Sequence, residues 1–192
     1  MASTAESSAA AISSEMEQLI RKTVDEALAE KEAEREAKPK KMAIIATKGT
    51  LDWAYPPLIL ATTAAALGWE VGIFFTFYGL NIIHKKKYKN LKVAPLGNPA
   101  MPMPVPNIIG AIPGMTSMGT AVMKKMFKDH GVASIEDLLE MAVDMEVQLF
   151  PCAMTVEVFG YSADDFIDGV TPLCGAGAFT EYAVDADMSL FI

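Results

Sequence analysis

The chain has 192 residues, 52% of them hydrophobic and 21% charged, which excludes wholesale disorder and leaves room for one sizeable core plus an appendage rather than two full domains. A formal net charge of −8 sets the molecule against nucleic acid phosphate, so no nucleic acid partner is expected. Two cysteines without a CxxC pair and only two histidines, His84 and His130, exclude a disulfide scaffold and argue against a structural metal.

The opening stretch MASTAESSAAAISSEMEQ is acidic and rich in Ser and Ala. It lacks the basic start and apolar run of a signal peptide, and a cytoplasmic protein is the expectation. Ile12, Met16, Leu19, Ile20, Val24 and Leu28 recur at three- and four-residue spacing, which predicts a helix over 12–36 with one narrow apolar stripe. Beyond Leu28 the sequence EKEAEREAK is charged all round, and Pro39 marks a boundary. Residues 1–40 are therefore read as a helical appendage with its linker, either docking through its first half or forming a frayed, solvated tail, and 41–192 as the folded domain.

The domain opens with MAIIAT, a continuous apolar run ending in Lys48-Gly49-Thr50, the pattern of a buried parallel strand entering a loop. A helix follows, capped by Thr50 or Asp52, with Pro56 and Pro57 placed in its first turn and Gly68 closing it. Residues 69–77 read as a second apolar strand. Strand, helix and strand at this spacing make a βαβ unit, and hence a parallel sheet with helices on its faces. The TKGT loop matches neither GxGxxG nor GxxxxGK[ST], so no nucleotide or flavin cofactor is expected. From Trp53 to Ile83 the sole ionisable side chain besides tyrosine is Glu70. Glu70 splits this stretch into pieces shorter than the roughly 20 residues of a spanning helix, and membrane association is the lesser expectation.

Residues 88–119 are crowded with proline and methionine, including PAMPMPVPN, and read as a long apolar loop suited to a lid, a binding loop or an oligomer contact. Methionines 101, 103, 115, 118, 123 and 126 are read as packing or contact surface rather than a copper site. Helices over 115–129 and 134–145 come next, the second opened by a capping box, Ser134 to Asp137, with Asp in place of Glu. Short strands are expected at 147–150, 169–173 and 188–192. Residues 42–128 carry nine Lys and two acids, whereas 129–192 carry thirteen acids and no Lys or Arg, which predicts oppositely charged sides. The cluster Lys85, Lys86, Lys87, Lys89 and Lys92 reads as a solvated turn or a docking point for an acidic partner. His84 and His130 are read as exposed.

The two cysteines sit alike, in VQLFPCAMTVEVFG and GVTPLCGAGAFTEYA, each after a short apolar strand and before a helix. If both strands are parallel members of one sheet, Cys152 and Cys174 lie at its carboxyl edge, where open α/β folds place their ligands. Ser162-Ala-Asp-Asp165 supplies the start of an intervening helix. A thiol before a helix faces backbone N–H groups that favour thiolate. Cys152 is the stronger candidate, since Pro151 stops the strand, Thr155 can satisfy helix amides and Gly160 closes the segment. The alternative is that both cysteines are small core hydrophobes.

CAMTVEVFG followed by DDFIDGV, with the MAIIATKGTLD opening and the FFTFYGL strand, resembles the DsrE/DsrF-like sulfur-relay family, specifically its larger, peroxiredoxin-like branch. The likeness covers about residues 41–192 and implies a flavodoxin-like (Rossmann-like) α/β domain that forms homo-oligomers. It further implies a sulfurtransferase-like carrier that holds sulfane sulfur as a persulfide on Cys152 and exchanges it with TusA-like carriers and rhodanese-type donors, with Cys174 as a second relay thiol. Some members of the branch are associated with membranes. Two other functions compete with this: a thiol peroxidase or disulfide oxidoreductase using Cys152 and Cys174, disfavoured because no Arg follows Arg35, and a noncatalytic binding module.

Overall fold

A computed structural model describes residues 2–94 and 114–192. The loop expected over 88–119 therefore falls largely outside the described residues, with Met101 and Met103. The chain divides into two units, 1–39 and 40–192.

The first unit is one helix, α1, Ala2–Ala37. It starts earlier than the apolar stripe predicts because the Ser- and Ala-rich stretch contains no breaker, and it stops ahead of Pro39, whose ring disfavours helical backbone at the residue before it. Along it Met16, Leu19, Ile20, Val24 and Leu28 are exposed.

In the second unit the elements run β1 Lys41–Ala46, α2 Leu51–Ala66, β2 Glu70–Phe75, α3 Leu80–Ile83, α4 Met115–Asp129, α5 Ile135–Asp144, β3 Gln148–Pro151, α6 Ala153–Val158, α7 Ala176–Ala183 and β4 Met188–Phe191. The four strands form one parallel sheet in the order β3-β2-β1-β4, flanked by helices, the α/β class that the βαβ pattern implies. Among the described residues no helix is long and apolar enough to cross a membrane. The apolar run over 53–83 is instead spent on α2, β2 and α3, whose Leu58, Ile73, Phe75, Leu80 and Ile83 are fully buried.

Alternation along the strands sends side chains to two unequal faces. Met42, Ile44, Val71, Ile73, Phe75 and Leu149 enter the larger core beneath α2 and α5. Ala43, Phe74, Phe150 and both cysteines enter a smaller cluster with Phe179 and Tyr182 of α7. There Gly72 leaves room for the rings, because a Cβ at that position would lie 2.6 Å from Tyr182 and 2.8 Å from Phe150. The capping box at α5 forms with Asp as expected: the Asp137 N–H donates to Ser134 Oγ at 3.1 Å, and Ser134 N–H donates to the Asp137 carboxylate at 2.9 Å.

Several expectations are corrected. Pro56 and Pro57 lie beyond the first turn of α2, so the carbonyls of Asp52 and Trp53 lose helical donors. Thr50 caps α2 by backbone position alone, while the Asp52 carboxylate accepts from Ala94 N–H at 3.1 Å. The strand expected at 69–77 ends at Phe75, and Phe77–Gly79 turns away as a 3₁₀ segment. The helix expected at Ser162 is a single 3₁₀ turn, Ala163–Asp165, closed by its own Ser-Asp capping box. Nor is 169–173 a strand. Val170 bridges Leu149 of β3 and Cys174 bridges Cys152 just beyond it, and the hydrogen bonds Thr171 N–H to Leu149 O and Cys174 N–H to Pro151 O set three steps against two. Pro172, which has no N–H, lies inside that bulge. His84 is buried, edge-on to Tyr161 and Phe166, and burial pushes its pKa down.

Candidate functional site

Parallel pairing puts the ends of β1, β2 and β3 on one edge, and the turns leaving them build the site. Cys152 immediately follows Pro151, the last residue of β3. Its N–H donates to Phe75 O at 3.0 Å, and Ala153 N–H donates to Cys174 O at 2.9 Å. Cys152 and Cys174 are thus directly opposed across a parallel bridge, joined by backbone while both thiols stay free. The structure brings the two predicted cysteines together. It also buries them, leaving Cys152 3% and Cys174 7% exposed, so a reagent reaches either sulfur only when the covering turns give way.

Burial alone raises both thiol pKa values, yet the two diverge because their polar surroundings differ. At Cys152, burial pushes the thiol up, but the hydroxyls of Thr155 and Thr76 and the backbone N–H groups of Thr155 and Met154 favour thiolate by more, and the result lies below the ordinary thiol value. At Cys174, burial pushes the thiol up, the nearby Cys152 pushes it further, and a backbone hydrogen bond at Phe179 offsets only part. Cys174 Sγ stands 3.4 Å from Gly175 O as a donor, which fits a protonated thiol.

Thr76 and Phe77 are the residues that sequence reasoning missed. Thr76 leaves β2, and its hydroxyl sits 3.1 Å from that of Thr155. Thr155, expected to satisfy helix amides, instead accepts through its Oγ1 from Phe77 N–H at 3.2 Å, across the edge from β3 to β2. Phe77 has φ +47, a left-handed conformation that costs a non-glycine residue on the order of 1–3 kcal/mol and clusters at functional sites. An aromatic residue placed so, at the end of a strand and against the cysteine's hydrogen-bonding threonine, marks a shaped turn rather than ordinary core. The nearest sequence signal is the Thr-Phe-Tyr-Gly break in an otherwise apolar strand.

Asp165 closes the capping box on Ser162, and Asp168 pairs with Lys85 at 3.4 Å. Lys89 meets Glu136 at 3.0 Å. The basic and acidic stretches of the sequence therefore touch here rather than occupying opposite sides.

The Thr155 hydroxyl can be tested directly. In Thr155→Val, which keeps the shape and removes the donor, alkylation of Cys152 at neutral pH should slow by roughly 3- to 10-fold, the loss of a hydrogen bond to a charged group being partly returned by higher intrinsic nucleophilicity. Iodoacetamide labelling mapped to Cys152 over a pH series reads this, with the midpoint moving to higher pH.

Residues 38–191 match the DsrE/DsrF/DrsH-like family. A protein of Allochromatium vinosum named sulfur carrier protein DsrE2 is 55% identical over 159 residues, covering 80% of this chain and 98% of the relative. An uncharacterized protein of Bacillus subtilis, YrkE, is 29% identical over 163 residues, covering 80% and 97%. Among solved structures, the ychN protein of E. coli aligns with a TM-score of 0.49 at 14% identity over 80% of this chain and 99% of its own.

Proposed function

The chain belongs to the DsrE/DsrF/DrsH-like family, and from that premise we propose that it is a cytoplasmic sulfur carrier holding sulfane sulfur as a persulfide on Cys152. The observation that carries this reading is one buried thiol faced by two threonine hydroxyls and two backbone N–H groups. A cysteine that served as core filling would need none of them. The name of the Allochromatium vinosum relative, sulfur carrier protein DsrE2, supports a sulfur-carrier role.

In the loading step the Cys152 thiolate attacks the outer sulfur of a donor persulfide. The new bond joins Cys152 to that sulfur, the donor's own S–S bond breaks, and the donor leaves as a thiolate, so charge and electrons balance without an oxidant. Unloading is the same step in reverse toward an acceptor thiolate. The backbone N–H groups of Thr155 and Met154, with the one hydroxyl proton that the Thr76–Thr155 pair leaves free, can follow the negative charge as it develops and disperses on sulfur. TusA-like carriers and rhodanese-type proteins are the proposed exchange partners, and a homo-oligomer the proposed assembly.

The test is intact mass with peptide mapping after incubation with a low-molecular-weight persulfide. Whole sulfur atoms should be gained on Cys152; a protein that stays unmodified, with both thiols protected from alkylation in the native state, would sink the proposal. A second reading, a thiol-disulfide oxidoreductase or peroxidase, draws support from the direct opposition of Cys152 and Cys174 across the bridge. It requires peroxide to produce a Cys152–Cys174 disulfide faster than a persulfide loads Cys152.

A further inference from the structure

Around the buried cysteines the surface is apolar. Phe77 and Tyr78 on the β2 turn, Met154 and Val158 on α6, and Leu173 in the bulge are all exposed, Phe77 by 53% and Val158 by 73%. Met154, Val158 and Leu173 lie within a few residues of Cys152, Thr155 or Cys174, and Phe77 N–H donates to Thr155 Oγ1, so these side chains form a collar around the turns that hold the thiols. Scattered exposed apolar residues need no explanation, but a group of five over a reactive centre does.

The collar continues into the lysine cluster by a chain of ring contacts. Tyr78 lies 5.7 Å from Phe159, and Phe159 lies 5.6 Å from Tyr161. Lys87 stands over the Tyr161 ring at 4.3 Å. Beside it is a cavity of about 410 Å³ walled by Lys86, Lys87, Lys92, Asn81 and Asn90, with no carboxylate in its lining. Gly49, also in that wall, rests on the Tyr78 backbone so closely that a Cβ would lie 2.0 Å from Tyr78 O, which ties the cavity to the turn over Cys152. Lys85 and Lys89 are neutralised by Asp168 and Glu136. Lys86 feels Asp165, but it and Lys92 extend exposed beside a wall without acids.

Resting on the persulfide reading of Cys152, we propose that the collar and its lysine flank are the docking face for an acidic sulfur-transfer partner, a protein that presents its reacting cysteine among Asp and Glu side chains. An apolar centre with a charged rim of one sign is the anatomy of a transient protein interface, in which the rim steers encounter and fixes register. Docking also explains how so buried a thiol is reached: the partner's apolar contact must displace the Phe77 turn, which is already strained. A second copy is disfavoured as occupant, because a two-fold contact through this face would set lysines against lysines.

The test uses three persulfidated pentapeptides as donors: Glu-Glu-Cys-Glu-Glu, Gly-Gly-Cys-Gly-Gly and Lys-Lys-Cys-Lys-Lys. At low ionic strength the acidic peptide should load Cys152 roughly tenfold or more faster than the basic one, with the gap closing as salt shortens the screening length. A Lys86→Glu/Lys92→Glu variant should reverse the order and Lys86→Gln/Lys92→Gln should flatten it. Equal rates with uptake intact would overturn the docking proposal alone. Loss of uptake from all three would overturn the persulfide reading beneath it. Concentration-dependent self-association abolished by the same substitutions, with equal peptide rates, would give the face to a second copy and also overturn the proposal.

Discussion

Sulfur uptake by Cys152→Ala should fall to the level of a thiol-free control, whereas Cys174→Ala should keep most of the wild-type uptake. The two thiols are neighbours on one edge and nearly equally buried, so exposure does not separate them. Their hydrogen bonds do. Cys152 is held below the ordinary thiol value against the effect of its own burial, and its thiolate is the more populated at neutral pH. Cys174 is pushed up by burial first and by Cys152 second. The sign follows directly: uptake by the wild type and by Cys174→Ala should rise with pH through a midpoint below that of an ordinary thiol. In Cys152→Ala, alkylation of Cys174 should still rise only above the ordinary value, since removing Cys152 takes away the smaller of the two causes. The contacts holding the bridge are backbone hydrogen bonds, so neither alanine removes them. Intact mass and alkylation across a pH series check both halves. Undiminished loading of Cys152→Ala would transfer the carrier role to Cys174.

What the sequence made legible was whatever depends on local period and punctuation. The continuous apolar run at 42–47 and the short, largely apolar stretch at 147–150 marked buried parallel strands, and the Ser134-to-Asp137 spacing marked a helix start. Cysteine after a strand and before a helix marked the carboxyl edge. The surroundings of the sulfur were not legible, because they are long-range. The Thr76–Thr155 pair spans 79 positions, and nothing in the local pattern at Thr76 says which hydroxyl it will meet. The same holds for His84, whose lysine-rich neighbours suggest exposure but whose ring is covered by Tyr161 and Phe166 from a distant turn. The stretch 169–173 departs from a strand for a local reason: Gly169 takes φ +88 and Pro172 cannot donate, so an apolar run becomes a bulged bridge.

Gly79→Ala should lower stability by about 2–3 kcal/mol, the cost of forcing atoms into a close-packed site, with a fall in Tm of roughly 5–10 °C. A Cβ on Gly79 would lie 2.1 Å from Ala46 O and 2.8 Å from Ala46 C. Both are backbone atoms at the end of β1, so the collision cannot be relieved by a side-chain rotation. What must move is the turn itself. Gly79 N–H donates to Thr47 O and to Thr76 O, and Thr76 N–H donates to Ala46 O, so any shift at Gly79 pulls on the end of β1 and on the residue whose hydroxyl faces Cys152. The substitution lies three positions from Thr76 and touches neither cysteine. Even so, it should raise the pH midpoint of Cys152 alkylation as well as lower the melting temperature. A variant that lost stability but kept the wild-type midpoint would show that the Thr76 hydroxyl holds its place independently of the turn, and that Thr155 alone sets the thiolate.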